Sequence, residues 1–196
     1  MSHDTVISAL NALSKIELIS FAPGDHVKHL VGESDRAAII LNASMLEHTT
    51  THMLQKAMPG LNSDETSRMF GINGPLGAFS AKIAVAHGLK IIDRAMMKRM
   101  DVIRAMRNAA AHYVGPLNFD TEQIRNAVSQ IASPPNRPEL AELTALGLRI
   151  YLTHAIAIMA SVIVGTAPTY SDESSMEFIR ELKARQLAAS LDKSAE

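Results

Sequence analysis

The chain has 196 residues, 47% of them apolar, and a formal net charge of −1 with its eight histidines neutral. The near-neutral balance argues against an overall electrostatic grip on nucleic acid or an anionic membrane, and the absence of cysteine excludes disulfides and thiolate zinc sites. Aromatic residues make up only 4%, Trp is absent and Met reaches 11, so Ala, Leu, Ile and Met must fill the core, where the flexible thioether suits irregular gaps between helices.

Residues 4–20 alternate apolar and polar at helical spacing and stop at Pro23-Gly24. Met1 to Val6 show no basic region leading into a long apolar stretch, so no signal peptide is expected. Ser34 or Asp35 can cap a long helix running to about Met58, closed by Pro59-Gly60, with an apolar row of Ile39, Ala43, Leu46, Thr50, Met53 and Ala57. Asn62 followed by Glu65 has capping-box spacing for a short helix. Gly71 to Gly77 reads as a turn, with Pro75 at the first position of a helix to about Gly88 that carries Phe79, Ile83 and Ala86. These glycines lack the preceding strand and the Gly-Lys-Ser/Thr ending of a phosphate loop.

Asp93 starts the next helix, which ends near His112 or Tyr113 and is broken by Gly115-Pro116. Asp120 with Gln123 opens a helix to about Ala132, and Ser133 to Pro138 form a firm break. Glu139 to about Gly165 reads as one long helix. Its greasiest run, Ala155 to Gly165, falls short of the roughly 20 residues a membrane span needs and is expected in the core. A loop from Pro168 to Ser175 leads to a charged helix over Met176 to about Leu187. No strand signal and no internal repeat appears. The expectation is an all-α protein: a single helical bundle of about six or seven helices over residues 1–170, with a peripheral C-terminal helix and tail over 171–196 that is free to move.

Chemistry concentrates on the helix from Asp93. At 100° per residue, Asp101, Arg104, Arg107, Asn108 and His112 fall within an arc of about 140°, with Val102, Ala105, Met106, Ala109 and Tyr113 opposite. Asn108 and His112 are helical neighbours, whereas Arg107 and His112 point apart, so a joint site needs an early helix end or a second copy of the chain. The plainer alternative is a solvated arginine face with His112 at the carboxyl end of the helix dipole. Between Lys90 and Arg107, six basic residues stand against two acidic ones. This stretch, with Lys98, Arg99, Arg104, Arg107, Asn108 and His112 as candidate binding residues, suits RNA or an acidic protein, although no aromatic side chain is present to stack on bases. His48 and His52 have metal-ligand spacing but no evident third ligand, so no metal and no cofactor is expected.

Several short patterns occur together. They are Asp35-Arg36 before an Ala/Ile/Leu-rich helix, Gly74-Pro75-Leu76-Gly77 with Phe79-Ser80-Ala81-Lys82-Ile83, Ile103-Arg104 with Arg107-Asn108 and Ala111-His112, and Phe119-Asp120 after the turn. In combination they resemble the mannitol operon regulator family over about residues 33–130, with an expected extension to the helix after Pro138. Ala110 departs from the aromatic residue common in that family, and Lys82 from its frequent arginine. The resemblance implies an all-helical, cytoplasmic regulatory or interaction protein acting through protein partners. No helix-turn-helix with a polar recognition helix is evident, which disfavours direct DNA binding.

Arg107 and His112 also fit the arginine-x4-histidine pattern of the HEPN superfamily. That resemblance implies a helical bundle and, in some members, metal-independent RNA cleavage at a dimer interface. There His112 would do acid/base work, Arg107 would steady phosphate charge and Asn108 would orient a partner. A homodimer is expected on either reading, with RNA as a candidate partner only on the second.

Overall fold

The computed structural model describes Thr5, residues 33–133 and 135–166, and residues 177, 180, 181 and 183–185. The helix expected over 4–20 and the loop over 168–175 lie outside the described residues, apart from Thr5. Of the expected terminal helix, only the residues just named are described, and they are helical. Among the described residues there is no strand, and seven helices follow one another from 35 to 163: α1 Asp35–Lys56, α2 Ser63–Phe70, α3 Phe79–Gly88, α4 Arg94–His112, α5 Glu122–Ile131, the single turn α6 Pro138–Ala141, and α7 Ala145–Ile163. The protein is all-α, as expected.

The bundle is organised around α1, which packs on α3, α4 and α7. Ser34, not Asp35, caps it: the Ser34 hydroxyl accepts from the Ala37 amide at 3.2 Å. Its buried side is Ala38, Ile39, Ala43, Leu46 and Leu54, plus the polar Asn42 and Thr50. Ala57, expected in the apolar row, is exposed because the helix has already ended at Lys56. Asn42 is tolerated in the core because its amide donates to Thr153 of α7 and to the Ala38 carbonyl, each at 3.0 Å. The capping box at α2 is present in both directions, with Asn62 and Glu65 bonded at 2.9 Å each way.

Two expected boundaries are corrected. Pro75 does not open a helix: α3 starts at Phe79, and residues 71–78 form a tight looped turn instead. Its backbone packs too closely for any side chain at Gly74, where a Cβ would lie 2.2 Å from the Arg68 carbonyl oxygen and 2.4 Å from that of Met69. The stretch from Glu139 to Gly165 is not one helix either. It breaks after α6, and Thr144 caps α7 by accepting from the Gly147 amide at 3.2 Å. The carbonyls freed at the break, Ala141 and Leu143, each take a 2.9 Å bond from the Arg125 guanidinium of α5. A smaller shift occurs at α5, which is preceded by Thr121 rather than capped by Asp120. Asn118 accepts from the Asp120 and Thr121 amides, and Asp120 pairs with Arg125.

The Thr144 cap carries a direct expectation. Thr144→Ala should cost about 1 kcal/mol in urea denaturation, while Thr144→Ser should stay within a few tenths.

Helix α7 is long and apolar enough to cross a membrane by length and composition, with half of its most apolar window buried. Leu148, Tyr151, Leu152, Ala155, Ile156, Met159 and Ile163 supply its part of the core, as expected for the greasy run. His154 sits half-buried on the same helix, and loss of hydration holds its pKa below the ordinary 6.5. The folded state therefore disfavours the imidazolium while the unfolded chain binds the proton freely. Stability from this residue is complete above about pH 6.5 and declines as the pH falls through that value. Melting temperatures recorded between about pH 7.5 and 5.5 should fall for the wild type and fall less for His154→Leu.

Candidate functional site on the Arg94–His112 helix

The polar helix forms as a single unbroken element. Asp93 caps it, accepting from the Met96 amide at 2.7 Å, and the chain leaves helical geometry at Tyr113. Its buried stripe is Met96, Met100, Ile103, Met106 and Ala110. The side expected to be apolar is corrected in part: Ala105, Ala109 and Tyr113 are exposed. The cause is packing on several neighbours at once, since α4 meets α1, α3 and α5 and turns the Met96–Ala110 stripe toward them.

The predicted polar residues divide into two groups. Arg107, Arg104 and Arg99 are engaged within the chain. Arg107 reaches Glu47 of α1 at 3.6 Å, and the same carboxylate holds Lys82 of α3 at 2.8 Å. Arg104 pairs with Asp101 one turn earlier at 3.3 Å. Arg99 donates to the Ile131 carbonyl at the end of α5, at 3.0 Å. Lys98, Asn108 and His112 are exposed, and no side-chain hydrogen bond or ion pair involves them among the described residues.

Arg107 and His112 therefore sit about 140° apart on one helix, with Arg107 directed inward to α1 and His112 outward at the helix end. One chain does not bring them together. Asn108 is exposed with His112.

The carboxyl end of α4 is neutralised by a residue from another helix. Arg36, in the first turn of α1, donates to the Ala110 carbonyl at 2.5 Å, to Tyr113 at 2.7 Å and to Gly115 at 2.7 Å. A cation at a helix C-terminus is electrostatically favourable, and here it is Arg36 that takes the position expected for His112. Its neighbour Asp35 accepts from the Phe119 amide at 3.1 Å and pairs with Arg149 of α7 at 3.4 Å. The Asp35-Arg36 dipeptide thus fastens α1, the 113–119 turn and α7 at one end of the bundle, with Phe119 fully buried beneath it. Sequence reading singled out this dipeptide only as part of a pattern; its role was not readable from spacing. The Glu47–Lys82 pair was missed altogether. A lone lysine in the apolar run Phe79 to Ile83 was the available signal, because a lysine that faces inward needs a partner.

Among the described residues no group of three or more His, Cys, Asp or Glu stands close enough to hold a metal ion. His48 and His52 are both half-buried on α1.

Fold and site together define a class: an all-α bundle whose Arg94–His112 helix is tied to α1 by the Arg107–Glu47 ion pair and to α5 by the Arg99 hydrogen bond, and turns Lys98, Asn108 and His112 to solvent. No family model and no curated protein matches the sequence. A solved structure does share the fold. It is the X-ray structure of the MtlR–HPr complex from Escherichia coli, with a TM-score of 0.57 and 16% sequence identity, covering 72% of this chain and 97% of that one. The fold is therefore MtlR-like.

Proposed function

We propose that this chain is a regulatory interaction protein that works by binding a protein partner in the cytoplasm, without reading DNA directly and without catalysis. The observation that carries this reading is the fold shared with MtlR, a protein solved in complex with HPr. The pairing of Arg107 with Glu47 agrees with it, because the half-exposed guanidinium already has a carboxylate partner within the chain. Ala105 and Ala109, exposed and one turn apart on α4, offer a small surface of low relief on which two copies could pair.

The ribonuclease reading draws support from one observation, the exposed and unengaged His112. It requires a second copy to bring an arginine to that imidazole.

Calorimetric titration of the chain with HPr from its own cell tests the proposal. The expected result is a saturable complex. Absence of any complex, together with salt-sensitive binding to operator DNA in a gel shift, would overturn it.

A further inference from the structure

The basic stretch predicted between Lys90 and Arg107 is reduced by the fold to three free cations. With Arg99, Arg104 and Arg107 engaged, Lys90, Arg94 and Lys98 remain exposed, and none of their side chains has an ion pair or hydrogen bond among the described residues. All three sit at the corner where α3 turns into α4. Arg94 and Lys98 are one helical turn apart and so are neighbours on the surface of α4. The carboxylate closest in sequence, Asp93, accepts the Met96 amide as the helix cap. Leu89, 49% exposed, adds an apolar side chain at the same corner.

Lys90 supplies an independent observation. Helix α3 ends in a paired motif: the Ile91 amide donates to the Ala86 carbonyl at 2.9 Å and the Lys90 amide to His87 at 3.0 Å. That geometry demands a left-handed residue after the cap, a position where glycine is usual. Here it is filled by lysine at φ 60°. A side chain with a Cβ is disfavoured in that region, and an exposed lysine with no intramolecular partner gives the folded chain nothing in return.

We propose that the corner formed by Leu89, Lys90, Arg94 and Lys98 is the docking surface for an acidic, partly apolar segment of a protein partner. This rests on the reading of the chain as a partner-binding protein. Three unpaired cations flanking an exposed leucine complement carboxylates interspersed with apolar side chains. Nucleic acid is the poorer match: the corner carries no aromatic side chain to stack on bases, and the chain as a whole is not basic.

The test uses the full chain and a short labelled peptide of alternating glutamate and leucine, with a lysine–leucine peptide and a single-stranded RNA as comparators. The glutamate peptide is expected to bind saturably and more weakly as salt rises. Arg94→Glu/Lys98→Glu is expected to weaken it about tenfold, and Lys90→Gly about threefold. Lys90→Gly is also expected to raise the melting temperature, since glycine fits the left-handed position. A gain in stability with a loss of binding separates a docking lysine from a structural one.

Failure of the glutamate peptide to saturate, equal binding by the charge-reversed variant, or tighter binding of the RNA would each overturn the assignment. If HPr binds the wild type and the charge-reversed variant alike while the peptide does not bind, the partner-binding reading stands and this surface assignment falls.

Discussion

Replacing Glu47 by alanine is expected to destabilise the protein by about 3 kcal/mol, the cost of leaving a buried ammonium without its counter-ion. The Lys82 side chain is 8% exposed and its nitrogen lies 2.8 Å from the Glu47 carboxylate, which is itself 17% exposed. Water cannot readily replace that partner. The pair is nonetheless a poor net source of stability, because removing both charges from water cost nearly as much as their attraction returned. The double substitution Glu47→Leu/Lys82→Met should therefore lie within about 1 kcal/mol of the wild type. Arg107, 38% exposed and 3.6 Å from the same carboxylate, is screened by solvent and should add little on its own. Urea denaturation of the single and double variants gives the ordering directly. A double variant as unstable as Glu47→Ala would show that the paired charges contribute net stability, because leucine and methionine keep the aliphatic packing and remove only the charges.

Removal of the Arg36 guanidinium should cost about 2–3 kcal/mol, because charged hydrogen bonds to three carbonyls are lost together and their effects do not add fully. Those carbonyls, at Ala110, Tyr113 and Gly115, mark the end of α4 and the turn that follows. Arg36→Lys should recover only part of the loss, since a compact ammonium cannot reproduce a fork that spans three acceptors. Hydrogen exchange should localise the damage to the last turn of α4 and residues 113–119 in Arg36→Ala. Uniform loss of protection across α1 and α7 would instead show that Arg36 acts mainly by holding the N-terminus of α1.

These two residues also show what could and could not be read from sequence. The ends of α1, α2 and α4 were legible because a capping side chain acts on an amide two or three residues away, as Ser34, Asn62 and Asp93 do. The polar arc of α4 was legible because helical period fixes relative directions along one element. The break before α7 was not, since no proline or glycine marks Glu142-Leu143-Thr144, and the carbonyls freed there are satisfied by Arg125, which belongs to another helix.

The sorting of the arginines was likewise hidden. Arg107 differs from Lys98 only in what lies opposite, and Glu47 is supplied by a helix distant in sequence. Lys90 was unreadable for another reason: lysine is not a residue from which a left-handed conformation is inferred. Local caps and helical period thus marked the starts of α1, α2 and α4 and the polar arc of α4, while three-dimensional packing decided which charges were engaged internally and which were left to solvent.

The proposed function places Arg107 in the scaffold and gives the Arg107–His112 pair no catalytic role. It is tested most directly by incubating single-stranded RNA with chelator and either the wild-type chain or His112→Ala. The expected result is intact RNA with both proteins. Cleavage by the wild type that disappears in His112→Ala would contradict it and would assign the exposed imidazole to acid/base chemistry.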